Sequence, residues 1–137
     1  PKPKRLEDAI VTYLVSLETQ MASMRDDSDE SKALFVENVL TEIKQSTASA
    51  ACDRRTNTVV EKICYNATLP NVIEIMARLS NYAVFLARNR HASHVVQALL
   101  ARLCSILKFT GIGDVEENVL VSTVLQFVRP IMNESIE

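Results

Sequence analysis

The chain has 137 residues, 47% of them hydrophobic and 23% charged, with a formal net charge of −2; this excludes a disordered or fibrous polymer and fits one globular domain able to bury a core. No stretch approaches the roughly 18 uninterrupted apolar residues of a membrane span, and Pro1-Lys2-Pro3-Lys4-Arg5 lacks the apolar stretch of a secretory signal, so a soluble intracellular protein with no membrane partner is expected. Cys52, Cys64 and Cys104 are an odd set without a Cys-x-x-Cys pair, and are expected as small buried side chains rather than disulfides or zinc ligands.

Glycine is confined to Gly111 and Gly113, and no proline falls between Pro3 and Pro70, so long helices are the natural outcome. The first is expected over about residues 5–24, where Leu6, Ile10, Tyr13, Leu14, Leu17, Met21 and Met24 recur at three- and four-residue steps. The acidic run from Asp26 to Glu30 interrupts that period as a solvated turn. Ser28, Asp29 and Ser31 offer caps for a second helix carrying Leu34, Phe35, Val39, Leu40 and Ile43. Further helices are expected at about 55–66, 70–79, 92–107 and 115–128. Pro70 suits the first turn of its helix, Asp114 is placed to cap the helix after the Gly111-Ile112-Gly113 break, and Pro130 should end or kink that helix near Arg129.

Charge is unevenly spread. Residues 51–108 hold eight Lys or Arg against three Asp or Glu, a local +5, while the rest of the chain is −7. The basic centre is compatible with a polyanionic ligand, and also with an ordinary solvated surface.

At an offset of 36 the sequence matches itself. Ala51-Cys52-Asp53-Arg54-Arg55-Thr56-Asn57-Thr58-Val59-Val60-Glu61 lies on Ala87-Arg88-Asn89-Arg90-His91-Ala92-Ser93-His94-Val95-Val96-Gln97, and Val36, Val39, Leu40 and Ile43 lie on Val72, Ile75, Met76 and Leu79. This reads as a two-helix unit repeated once, whose apolar faces are covered only by stacking, hence a solenoid. On the second helix of the later unit, Val95, Val96, Leu99, Leu100 and Leu103 share one side, and Ser93, His94 and Gln97 the other. The earlier unit sets Asn57, Thr58 and Glu61 opposite Val59, Val60 and Ile63. Two hydrogen-bonding side chains one turn apart can grip a base edge while a flat neighbour stacks on the base.

On these residues the chain resembles the pumilio family of RNA-binding repeats: Asn89 to Gln97 and Asp53 to Glu61 follow its recurring "acidic or Asn, x, aromatic or basic, Gly, Asn or Ser, x, Val, x, Gln" signature over about residues 31–104. Taken with Phe35-Val36-Glu37-Asn38-Val39-Leu40 and the acidic turn before it, the likeness is to the opening repeats of a branch of nuclear, nucleolar ribosome-biogenesis factors. The resemblance implies an all-α, right-handed helical-repeat solenoid that is a monomer, carries no cofactor or metal, and is no enzyme. Its implied partners are single-stranded RNA, precursor ribosomal RNA in small-subunit biogenesis, together with pre-ribosomal proteins. Carried over by position, Ser93 and Gln97 contact a base edge, a pairing the family tends to use for adenine, and His94 stacks. Asn57 and Glu61 form the first edge pair with Thr58 as stacker. Glu61 departs from the pattern because it accepts rather than donates, Thr58 because it offers no flat face, and Thr56 and Ala92 because they stand where glycine is usual. Arg54, Arg55 and Arg90 are candidates for phosphate contact, with Arg88 and Arg102 beside them.

The expected division is a capping helix and acidic turn at 1–30, repeat units at 31–68 and 69–108, and at 109–137 a loop with the first helix of an incomplete third unit. His91 and His94 lack a third ligand at a workable spacing, and Ser93 beside His94 cannot act as nucleophile and base, since consecutive helical residues point about 100° apart. The rival reading is a protein-binding solenoid of HEAT or armadillo type, which needs the same stacking without the polar pairs.

Overall fold

The apolar stripes of the sequence fold into eight α-helices within residues 1–136, the part of the chain that the computed structural model describes; no strand occurs among them. Helix α1 (Asp8–Ser23) buries Val11, Leu14, Leu17 and Met21, and Leu6 and Met24 are buried just outside its ends. The stripe therefore outruns the helix, which starts three residues later than its periodicity suggests. Ser28 caps α2 (Asp29–Ile43): its hydroxyl accepts from the Ser31 amide at 3.2 Å, and Asp29 and Glu30 complement the dipole of the first turn.

Two short helices were not announced by the pattern. Helix α3 (Thr47–Cys52) follows a single 3-10 turn at Lys44–Ser46, and α6 (Ala83–Arg88) follows another at Ser80–Tyr82. The repeated unit thus has three helices, not two. Six residues make less than two turns, too few for a 3.6-residue stripe to declare itself. In α3 the small side chains of Ala48, Ala50 and Ala51 are buried, which lets it fit closely against α4 (Asn57–Tyr65) and α5 (Leu69–Leu79). Helix α5 opens on a capping box, in which Thr68 accepts from the Asn71 amide while the Asn71 side chain accepts from the Thr68 amide, with Pro70 in the first turn where no amide proton is needed.

Helix α7 (Ala92–Phe109) completes the later unit, and the offset of 36 holds from Lys44 to Ser80, from Thr47 to Ala83 and from Cys52 to Arg88. By length and composition α7 is apolar enough to cross a membrane. Its apolar side, Val95, Val96, Ala98, Leu99, Leu103 and Ile106, is instead buried in the core.

Like helices stack on like: α2 on α5, α3 on α6 and α4 on α7, with α1 covering the free side of α4. One continuous core results, including Leu14, Val36, Leu40, Ile63, Met76, Leu79 and Leu99, each about 1% exposed or less except Ile63 at 2%. Burial of a side chain of this size contributes about 1.5–3 kcal/mol, so stacking provides most of the stability that neither unit has alone.

Two arginines of the later unit reach back to helix ends of the earlier one. Arg78 Nη1 donates to the carbonyls of Leu40 (2.7 Å) and Lys44 (3.0 Å) and to Thr47 Oγ1 (3.2 Å), and its Nη2 meets Glu74 at 2.9 Å. Arg102 Nε donates to the Ala67 carbonyl at 2.8 Å, just past the end of α4. Both place a cation on carbonyls at a helix C-terminus, where the dipole favours positive charge, although the Leu40 and Lys44 carbonyls also accept from the Lys44 amide and the Thr47 hydroxyl.

Helix α8 (Glu117–Ile136) packs on α5 and α6. Leu120, Thr123, Val124 and Phe127 take the spacing of Val72, Ile75, Met76 and Leu79, now 48 residues on, because α7 runs 18 residues where α4 runs 9, and because the turn after it is longer. Three expectations change here. Asp114 does not cap α8: it lies in the turn shaped by Gly111 (φ +77°) and Gly113 (φ +57°), and the first helical bond runs from Leu120 N–H to the Glu116 carbonyl. Of the end or kink expected at Pro130, the end does not occur: the helix continues to Ile136, held by the fully buried Phe127 and by an Arg88–Glu134 ion pair at 2.6 Å. Finally, Cys64 is buried and Cys52 half-buried as expected, but Cys104 is exposed.

Candidate nucleic-acid interface

The loops Asp53–Thr56 and Asn89–His91 start the third helix of each unit by the same device. Asp53 Oδ1 accepts from the Arg55 amide at 2.8 Å, and its backbone carbonyl accepts from Thr56 and Asn57 at 3.2 and 2.9 Å. Asn89 Oδ1 accepts from the amides of His91 (2.9 Å) and Ala92 (3.0 Å), and its carbonyl accepts from Ser93 at 2.9 Å. The acidic-or-Asn position of the signature is therefore a short acceptor that satisfies the first amides of a helix. At the glycine position, Thr56 and Ala92 are fully buried, and the Thr56 hydroxyl donates to the Ala50 carbonyl at 2.7 Å. A small or internally bonded side chain is what fits there.

Beyond these loops α4 and α7 lie side by side. Val59, Val60 and Ile63, and Val95, Val96 and Leu99, point into the core. On the opposite side Thr58, His94 and Gln97 are exposed, and Glu61 and Ser93 half-exposed. No hydrogen bond within the described residues engages the side chains of these five. The contrast is with Ser16, Ser23, Thr41 and Ser80, whose hydroxyls turn back onto carbonyls three or four residues earlier. The face thus presents free donors and acceptors in a row that crosses both units.

Asn57 does not join them. It is 8% exposed, and its Nδ2 donates to the Asp53 carbonyl at 3.0 Å, so its amide closes the start of α4 where Ser93 leaves the equivalent position of α7 open. The earlier unit then offers Thr58 and Glu61 alone.

The arginines divide as well. Arg55 folds onto Asp53, Nε at 3.0 Å and Nη2 at 2.9 Å, and its other terminal nitrogen lies 3.9 Å from Asp8; these hydrogen bonds hold the Asp53 carboxyl below the usual carboxylate range. Arg88 is paired with Glu134 and Arg102 is bonded to Ala67. These three have partners within the fold, though the side chains of Arg55 and Arg88 stay 45% and 66% exposed. Arg54 and Arg90, at the same register of the two loops, are exposed and make no ion pair or hydrogen bond among the described residues. No group of three His, Cys, Asp or Glu side chains placed to hold a metal occurs among the described residues.

Comparison with known proteins adds to this picture. A family model described as the NOP9-like PUF repeat domain matches residues 45–125. Nucleolar protein 9 of Arthroderma benhamiae is 31% identical over 88 residues, covering 64% of this chain and 12% of the relative. Nucleolar protein 9 of Meyerozyma guilliermondii is 25% identical over 134 residues, covering 92% of this chain and 19% of the relative. The same-named protein of Debaryomyces hansenii is 22% identical over 108 residues, 79% and 15%. The chain spans less than a fifth of the length of each of these relatives.

Proposed function

The chain belongs to the NOP9-like PUF repeat family, and on that premise we propose that it binds single-stranded RNA through the face formed by α4 and α7, as part of a nucleolar, non-enzymatic ribosome-biogenesis factor. The observation that carries this reading is the row of unengaged polar side chains at one register of two stacked units, Thr58 and Glu61 beside Ser93, His94 and Gln97. The imidazole of His94 stacks on a base while Ser93 and Gln97, one turn apart, meet its edge. Thr58 and Glu61 make a weaker, acceptor-rich set, with Asn57 supporting the helix start. Arg54 and Arg90 approach phosphate. Residues 31–68 and 69–108 serve as the two reading units, 1–30 as a cap, and 109–137 as the start of a third. The relatives' name, Nucleolar protein 9, supports the nucleus and nucleolus as the location. Precursor ribosomal RNA is the target that fits that location, with pre-ribosomal proteins as neighbours and the chain itself acting as a monomer.

Base contacts of this kind contribute about 1–3 kcal/mol each, so two bases give affinity in the millimolar to high-micromolar range. The test is therefore an NMR titration of the isotope-labelled chain with an adenine oligonucleotide, wild type against Ser93→Ala/His94→Ala/Gln97→Ala. Shifts at residues 57–61 and 93–97 that vanish in the folded triple variant support the reading. Equal binding by both proteins, or shifts confined elsewhere, transfers the face to a protein-binding scaffold.

A further inference from the structure

The segment before α1 is not a loose end. Pro3 and Leu6 are buried, whereas Lys2, Lys4 and Arg5 between and beside them are exposed. The segment lies along the middle helices. It lines one depression of about 460 Å³ with Ser46, Ser49 and Tyr82, and another of about 390 Å³ with Ser49, Asp53, Phe85 and Asn89. The strap thereby spans both units and reaches the two loops that start α4 and α7. The positive charge of Lys2 is felt at the Cys52 thiol, opposing the rise that burial imposes there.

Charge at this edge is lopsided. Lys2, Lys4 and Arg5 form no ion pair among the described residues, and neither do Arg54 and Arg90 in the loops alongside. Of the carboxylates nearby, Asp53 and Asp8 both face Arg55, which leaves Glu7 as the acidic group lining the first depression. The walls add hydroxyl and amide donors from Ser46, Ser49, Tyr82 and Asn89. Cations with hydrogen-bond donors between them suit the phosphates of a nucleic acid strand, which carry a charge at every residue and accept on every side. The loops stand about one helical turn, roughly 6 Å, before the base-facing positions, so one strand can lie on the face and cross this edge.

We propose that the strap of Lys2, Lys4 and Arg5 is a second RNA contact, binding the phosphate backbone of single-stranded RNA beside the base-facing row. This rests on the RNA reading above, but it concerns different residues and a different part of the ligand. The test compares the full wild-type chain with Lys2→Gln/Lys4→Gln/Arg5→Gln, which keeps the buried anchors Pro3 and Leu6. Affinity for adenine and uracil oligonucleotides is followed by NMR over a salt series, with a polyglutamate peptide as a parallel probe. Each phosphate contact on a single strand contributes about 0.7 to the slope of log K against log salt. The variant should therefore lose about 2 from that slope, weaken equally toward both oligonucleotides, and melt within a degree or two of wild type. An unchanged slope overturns the proposal, as does a loss of affinity accompanied by a lowered melting temperature and an unchanged slope. Strap amides that shift with polyglutamate and not with RNA overturn it in favour of an acidic protein. The base-reading variant separates the two ideas: if it binds like wild type while the strap variant loses slope, base reading fails and the strap stands.

Discussion

Replacing Arg78 by alanine tests whether the stack is held by directed bonds as well as by apolar area. The guanidinium side chain is only 22% exposed. One of its nitrogens faces two carbonyls at the end of α2 and the Thr47 hydroxyl. That nitrogen has two protons, so the geometry is counted as two bonds from a charged donor, each contributing about 1.5 kcal/mol net. A cation at a helix C-terminus adds about 0.5 kcal/mol. Arg78→Ala should thus destabilise the chain by about 3.5 kcal/mol, lowering the melting temperature by about 10 °C for a domain of this size. Arg78→Lys keeps the charge without the fork and should lose about half as much. Glu74→Ala, which removes only the exposed partner at 2.9 Å, should cost about 0.5 kcal/mol or less. Urea unfolding followed by circular dichroism at 222 nm, the wavelength that reports helix (about 1.5 kcal/mol per molar denaturant for such a chain), measures all three. If Arg78→Ala and Glu74→Ala fall within about 0.5 kcal/mol of one another, the carbonyl bonds contribute nothing and the argument from directed contacts is wrong.

Lys44 has φ +48°, a conformation in which a Cβ is strained, whereas Ser80 at the same register of the later unit has φ −59°; Lys44→Gly should raise stability by about 0.5–1 kcal/mol, read as a higher urea midpoint, and a lower midpoint would show that the lysine is not strained. The thiols give a second prediction. With a water-soluble disulfide reagent at mildly alkaline pH, Cys104 should react in the folded chain, while Cys52 and Cys64, half-buried and buried, wait for unfolding. Burial pushes Cys52 up to about 11 and Cys64 up to about 12 from an ordinary 9.0. A raised acid binds its proton more tightly in the folded state, so stability is intact below pH 9 and falls as pH rises from there towards 11 to 12, by at most about 1.4 kcal/mol per unit for each thiol. Cys64→Ala should flatten that decline in alkaline urea titrations, and an unchanged decline would assign it to other groups.

The long helices were legible because Leu, Val, Ile and Met recur over three or more turns, and the 36-residue register was legible because the paired segments share their Val-Val and Arg positions. The middle helices were hidden by their length, and α3 also by small alanines and a serine that mark no face. The exposed half of the site followed from the same helical wheel that located the core: Val95 and Val96 inward set His94 and Gln97 outward. What a wheel does not carry is where a side chain finds its hydrogen bond. Asn57 and Ser93 share a register, but the longer amide reaches the Asp53 carbonyl and the hydroxyl of Ser93 makes no such bond. The partners of the phosphate candidates Arg55, Arg88 and Arg102, namely Asp53, Glu134 and the Ala67 carbonyl, are found only once the loops and helix ends are placed.

The backward reach of Arg78 and Arg102 has a functional side. Their counterparts 36 residues earlier are Glu42 and Asn66, so the bonds do not repeat with the pattern; they exist where one unit meets the unit before it. Arg78 ties the row of first helices, and Arg102, on α7 itself, ties the end of α4. The spacing between α4 and α7 is therefore held by a residue on the same helix as Ser93, His94 and Gln97, acting from its opposite end. A face that reads successive bases needs that spacing held to well under the size of a base, because a hydrogen bond is lost within about half an ångström of its optimum. Apolar packing between α4 and α7 resists separation but allows sliding, whereas a guanidinium on a single carbonyl resists both. On the RNA reading proposed above, stability and recognition rest on the same inter-unit bond, and a chain that kept its core but lost Arg102 would stay helical while presenting its polar row at a less defined pitch.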